Sequence, residues 1–276
     1  MDELLGRFPC VAERPEPLKF AWPIILIPDS FTTVRHLGVI LGYFATIGWE
    51  VYAPDLRSAI GAGKTPALAK FTFADLIALC GEALDALGRG AIVVGHGAGG
   101  LAALKLAERP GVKAAVALAP LVPGYRSPLV SGLAARFSFS AWRRGMIDPP
   151  RRRQLFEFVA DADPFQRDGI IRAMVPESAK LALEIARGEI SLAASAAPRL
   201  IVAGDSDIFA PIAQTAALAE SIGATLAQVQ GRGHWLIGGR ALERAIAQTQ
   251  RFLVRTLGQE LLLLYPEEWK NDPDNG

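Results

Sequence analysis

Cysteine is scarce: Cys10 and Cys80 are the only two in 276 residues. They show no C-x-x-C spacing and have no histidine companions, which excludes a disulfide framework and a thiolate zinc site and leaves each thiol reduced, either packed or at the surface. A dominant charge is missing as well. With 29 Lys+Arg against 28 Asp+Glu and a net charge of +1, the chain has no field to hold nucleic acid or an anionic membrane. No apolar run approaches the roughly 18 residues of a membrane span. The opening M-D-E-L-L-G carries acids where a signal peptide needs cations. These absences lead to the expectation of a soluble, cytosolic protein whose partner is a small molecule, with no membrane and no nucleic acid; the oligomeric state stays open.

What is present is apolar bulk. At 51% hydrophobic residues the chain can bury one substantial core. Continuous β-branched and apolar runs recur at Ile24 to Ile27, Glu50 to Ala53, Ala91 to Val94, Ala114 to Ala119 and Leu200 to Ala203, the pattern of strands covered on both faces. Helical periodicity separates them, over Val34 to Ile47 with Gly48 as its stop, and over Phe73 to Leu87 with Thr72 as N-cap and Asp75 three residues on. A further strand is predicted at Thr225 to Val229 and a closing helix at Ala241 to Leu257. Such β-α alternation predicts an α/β fold with a doubly wound, mostly parallel sheet.

The alternation fails between Leu121 and Ala197. That stretch opens with a Pro/Gly loop (Pro123, Gly124, Pro128) and carries amphipathic patterns near Arg151 to Ala160, Phe165 to Met174 and Ser178 to Arg187. It reads as a helical insertion after a strand's carboxyl end, where open α/β sheets bind ligands, hence a cap or lid. Its arginines (Arg143, Arg144, Arg151, Arg152, Arg153) suit an anionic ligand or, more commonly, a solvated face. The expected division is a core of residues 1–120 and 198–258, a cap of 121–197 and a tail of 259–276. In the tail, Leu261 to Leu264 are expected to pack on the body while the last residues fray.

Two short motifs mislead. Gly95, Gly97 and Gly100 satisfy G-x-G-x-x-G, but the next strand ends A-L-A-P with no acid for a ribose, so a dinucleotide is not expected. Gly63-Lys64-Thr65 resembles the end of a P-loop, but Ser58 stands where its first glycine belongs, and Pro66 removes an N–H. No cofactor and no metal are expected.

A third motif is distributed along the chain. V-V-G-H-G-A-G-G (Val93 to Gly100) has the form of a strand-to-helix elbow with Gly97 in the G-x-S-x-G serine position. L-I-V-A-G-D-S-D then places Asp205 and Asp207 beyond a strand, and G-R-G-H-W places His234 before the last helix. Elbow, acid, histidine is the order of the α/β-hydrolases, and from Ile24 to Leu257 the chain resembles that superfamily. G-W-E-V-Y-A-P-D-L-R (Gly48 to Arg57) is similar to its D-L-R-G loop.

The resemblance implies roles. His234 is matched to the base, Asp207 to the acid that orients it with Asp205 as the alternative, and Gly97 to a vacant nucleophile position. The backbone N–H of Ala98, with that of Ser30 or Phe31, is matched to the oxyanion hole. An ionised Asp29 pointing inward would repel an oxyanion, and one pointing out would leave the hole intact; alternatively Asp29 or Ser30 contributes new chemistry, a loop-surface role being the commoner expectation for both. His96 is expected to pack or bond locally, and His36 to sit on a helix surface. The implied function is a small carbonyl compound (ester, lactone or C–C bond) attacked with the help of a His-Asp base and without an acyl-serine. The alternative is a silent relative that binds a ligand or partner.

Overall fold

A computed structural model describes residues 3–61, 65–125, 145–149 and 152–263. The continuous apolar runs form the middle of an eight-stranded sheet, because each is covered on both faces. Strand β3 (Ile24–Ile27) sends Ile24 and Leu26 into one core layer and Ile25 and Ile27 into the other. Strand β5 (Ala91–His96) does the same with Ile92 and Val94 against Ala91 and Val93. The remaining strands are β1 (Glu3–Leu5), β2 (Phe8–Glu13), β4 (Val51–Pro54), β6 (Val112–Leu118), β9 (Arg199–Gly204) and β10 (Thr225–Val229), in spatial order β1-β2-β4-β3-β5-β6-β9-β10. All neighbours from β4 onward are parallel; β1 and β2 are antiparallel additions at one edge.

Helices cover both faces. On one side lie α1 (Gly38–Thr46) and the C-terminal Leu242–Leu257, with Trp49 fully buried and stacked on Phe20 at 3.8 Å. After the short α2 (Pro66–Lys70), the other side carries α3 (Phe73–Ala86) and α4 (Gly97–Leu106). The helix Phe73–Ala86 starts at the expected cap: Thr72 Oγ1 accepts from Asp75 N at 3.0 Å and Asp75 Oδ2 accepts from Thr72 N at 2.9 Å. Thr72→Ala is therefore expected to cost about 1 kcal/mol, read as a small drop in melting temperature with activity unchanged.

Several boundaries differ from the sequence reading. Residues Val34–Leu37 form a 3-10 turn before α1, so the predicted Val34 to Ile47 helix is two pieces. The edge hairpin β1–β2 was not anticipated; it is short, with Leu5 opposite Phe8 and Gly6 at φ +60 in the two-residue turn. Between β6 and β9 the expected helices are present as Arg152–Phe158, Arg167–Arg172 and Ala179–Arg187. A two-residue ladder, β7 (Met146–Ile147) with β8 (Glu177–Ser178), joins them where no strand was expected. Arg143, Arg144 and Arg151 lie outside the described residues, and Arg153 is exposed. Of the tail leucines, Leu261 is fully buried and Leu262 bridges to Phe20, while Leu264 lies outside the described residues. Both cysteines are free and buried. No helix of the described residues is long and apolar enough to cross a membrane.

The topology fixes where a site can form. From β3 the chain crosses to β4 on one side and then to β5 on the other, so the loops after β3 and β5 part above the sheet, the usual crevice of open α/β folds. Register brings these loops together, since Ile27 pairs with Gly95. Two glycines of this elbow serve the approach. A Cβ on Gly95 would lie 2.0 Å from Gly99 O, and one on Gly99 would lie 2.4 Å from Ile27 O.

Candidate active site

Four loops converge at the carboxyl ends of β3, β5, β9 and β10. After β3 the chain turns sharply at Phe31, a non-glycine residue at φ +63. The turn is closed by Thr32, whose N–H and Oγ1 both donate to the Asp29 carbonyl, at 3.1 and 2.8 Å. The turn directs the Asp29 side chain inward. Its Oδ1 accepts from Ser30 N at 2.7 Å and from Ala98 N at 2.6 Å, and its Oδ2 lies 3.0 Å from His234 Nε2. On the far side of the ring, His234 Nδ1 lies 2.8 Å from Asp207 Oδ2, while Asp207 Oδ1 accepts from Phe209 N and Ala210 N. An imidazole thus stands between two carboxylates.

Gly97 shapes this arrangement. It opens α4 at φ +54, and a Cβ built on it would lie 1.9 Å from both Cγ and Oδ1 of Asp29. The Asp29 carboxylate occupies the space that any side chain at 97 would take.

The surroundings are dry. The side chains of Asp29, His96 and His234 are 0% exposed. Phe158 and Phe209 pack on the His234 ring with centroids at 4.7 and 5.5 Å, and Trp235 lies 5.7 Å from His96. Burial disfavours the charged imidazole, but Asp207 and then Asp29 outweigh it and push His234 up to about 10. Burial also opposes the Asp207 charge, yet the facing imidazolium and the hydrogen bonds hold it below the usual carboxylate range. His96 is pushed down to about 4, burial prevailing over the attraction of Asp29. His96 Nε2 donates to the His234 carbonyl at 2.8 Å, so its Nδ1 carries a lone pair; that atom has no hydrogen-bond partner and lies 3.6 Å from Asp29 Oδ2.

The structure brings together His234, Asp207, Asp29, Ala98, Ser30 and Gly97. Asp205 does not join them: its Oδ1 accepts from Gly231 N at 2.7 Å on the exposed side. Phe31 N turns away to Glu177 Oε2 at 3.4 Å, so Ser30 is the residue of that pair whose N–H points into the site. The two N–H groups matched to the oxyanion hole are present, but a protein carboxylate fills the place between them. His36, expected on a helix surface, is buried, with Nε2 3.1 Å from Ile170 O and Nδ1 accepting from Thr33 N. The P-loop-like Thr65 is a helix cap, accepting from Leu68 N.

Other contacts were not anticipated. Arg57 of the D-L-R loop pairs with Glu177 Oε2 at 2.5 Å and donates to Thr32 O and Pro176 O, tying β8 to the turn that aims Asp29. A cleft of about 40 Å³ borders Asp29, Ser30 and Ala98, with Leu56, Phe71 and Leu181 on its walls. For a metal, Asp29, His96 and His234 offer ligand atoms within 4.8 Å of one another.

This chain belongs to the α/β hydrolase family, whose model matches residues 24–248. Among solved structures it is similar to a monoacylglycerol lipase of Paleococcus ferrophilus, at 18% identity and a TM-score of 0.66 over 91% of this chain and 100% of the other. A soluble variant of the Saccharomyces cerevisiae monoglyceride lipase gives 15% identity and 0.67 over 92% of each chain. Tomato methylketone synthase I gives 17% identity and 0.59 over 84% of this chain and 98% of that one. At these identities the likeness is one of fold. No curated protein matches the chain.

Proposed function

We propose that this protein is a hydrolytic enzyme that works without an acyl-serine, with His234 and Asp207 handling the proton and Asp29 as the attacking group. The observation that carries this reading is the Asp29 carboxylate in the space of a side chain on Gly97, with one oxygen on two backbone N–H groups and the other on His234. A carboxylate held this way is a fixed nucleophile. Attack on an acyl carbon would create an oxyanion with no hole to enter, because Oδ1 already fills it. Attack on an sp³ carbon bearing an oxygen leaving group, such as an epoxide, needs no hole.

The proton then balances. Asp29 Oδ2 bonds to the carbon as the C–O bond breaks, and the leaving oxygen takes the proton from His234 Nε2. The neutral imidazole, oriented by Asp207, next takes a proton from water, which attacks Asp29 Cγ. The resulting oxyanion is Oδ1, already between Ser30 N and Ala98 N. Collapse releases the alcohol and restores the carboxylate. The small apolar cleft beside Asp29 is the substrate site in this reading, with Glu177 and Leu181 on its wall.

An ester or lactone is the second reading, favoured by the two lipases among the similar folds. There His234 activates water directly once Asp29 swings out of the hole. The test is turnover of a small aryl epoxide and a short activated ester by the natural protein and by His234→Ala. Loss of at least about 10³-fold is expected in the variant, since His234 serves both half-reactions; an ester adduct on the Asp29 peptide is sought by mass spectrometry in the natural protein quenched during turnover. Ester turnover with no adduct favours the second reading. Silence of the natural protein toward both substrates overturns catalysis and leaves a ligand-binding relative.

A further inference from the structure

Three lone-pair atoms face one another in the buried centre: Asp29 Oδ2, His96 Nδ1 and, when neutral, His234 Nε2. The reaction described above uses two of them. His96 Nδ1 is left without a partner, fully buried, 3.6 Å from a carboxylate oxygen. Two lone pairs set against each other in a dry interior are unfavourable unless a cation lies between them.

We propose that Asp29, His96 and His234 form a binding site for a divalent transition-metal ion of the zinc class, and that an ion seated there switches the hydrolytic chemistry off. The second half of this rests on the proposed function; the first does not. Two imidazole nitrogens and a carboxylate oxygen are ligands that zinc accepts, leaving an open fourth position. At bonds of ~2.1 Å, the separations of 3.6 Å and 3.0 Å subtend roughly 120° and 90° at an ion; the three ligand atoms lie within 4.8 Å of one another, and an ion would hold the two nitrogens within about 4.2 Å, so the rings close on it where they stand farther apart.

Each ligand is already fixed from behind, as metal ligands characteristically are. Asp207 holds His234 Nδ1, the His234 carbonyl holds His96 Nε2, and Ser30 N and Ala98 N hold Asp29 Oδ1. A cleft borders Asp29, one of the three ligands. Once bound, the ion takes the oxygen that attacks and the nitrogen that activates water; the proton between them leaves to solvent.

The experiment titrates zinc and cobalt(II) into chelator-treated natural protein and into His96→Gln. Glutamine keeps a donor for the His234 carbonyl and removes the free ring nitrogen; thermal melting verifies its fold. One zinc per chain in competition with a chromophoric chelator, and a visible cobalt band of low-coordinate nitrogen and oxygen ligation, are expected in the natural protein. In His96→Gln the affinity should fall at least tenfold, the cobalt band should disappear, and the turnover that remains should no longer respond to zinc. No stoichiometric binding, or binding equal in the two proteins, overturns the site. Binding lost in His96→Gln but without effect on natural turnover overturns the switch alone. Absence of turnover in metal-free protein counts against the proposed function, not against the site.

Discussion

Asp29→Asn is expected to abolish turnover while leaving the protein folded. Asparagine has the same shape, and its carbonyl oxygen still accepts from Ser30 N and Ala98 N, the two bonds that now hold Oδ1. Its amide nitrogen then faces His234 Nε2 as a donor, which a neutral imidazole accepts, so each group that now pairs with Asp29 keeps a partner. What is lost is the nucleophile. Removing an attacking side chain costs on the order of 10⁶-fold in the subtilisin example, and a loss of about 10⁴-fold or more is expected here. Kinetics on the substrate that the natural protein turns over measure the loss. A single turnover in ¹⁸O water locates its cause, because hydrolysis at Asp29 Cγ leaves the label in the Asp29 carboxylate. Unlabelled Asp29, or Asp29→Asn within tenfold of natural activity, removes Asp29 from the reaction.

The fold was legible in the sequence because its central strands are covered on both faces and so appear as unbroken apolar runs. The limits of β3 and β10 agree with the reading, and β4, β5, β6 and β9 differ by one or two residues at their ends. The edge was not legible. Strands β1 and β2 are short, partly exposed and without a continuous run; the one local signal was Gly6 followed by Arg7 between apolar pairs. At the site, His234 and Asp207 could be matched from their order, and Ala98 and Ser30 from their neighbours. The position of Asp29 could not, because its direction depends on a left-handed turn at Phe31 and on a bond across 69 residues to Ala98. A signal was nonetheless present as a pair. The glycine at 97 and the acid at the head of the facing loop complement each other sterically. The aromatic enclosure of His234 by Phe158 and Phe209 lacked even that signal, since the rings come from segments joined only by packing.

That complementarity gives the second large effect. Gly97→Ser is expected to destabilise the protein by roughly 3–5 kcal/mol, and Asp29→Ala to rescue most of the loss when combined with it. Serine must accept φ +54, at about 1–2 kcal/mol for an L-residue in the left-handed region. Its Cβ would also stand 1.9 Å from Asp29 Cγ, so the carboxylate has to leave two backbone N–H groups and His234. Charged hydrogen bonds of this kind contribute about 1.5–3 kcal/mol each, partly recovered as the freed groups find water. With Asp29 shortened to alanine, the clash disappears, the hole empties and the serine hydroxyl lies beside His234. Thermal melts of the natural protein, both single variants and the double variant form a cycle whose coupling should exceed about 2 kcal/mol, against the few tenths expected of independent sites. The double variant should also acquire burst-phase hydrolysis of a short activated ester, which neither single variant shows. Additive melting temperatures would mean that Asp29 does not hold the space of the missing side chain. A coupled pair with no ester burst would mean that the hole, once vacated, does not receive a substrate oxygen.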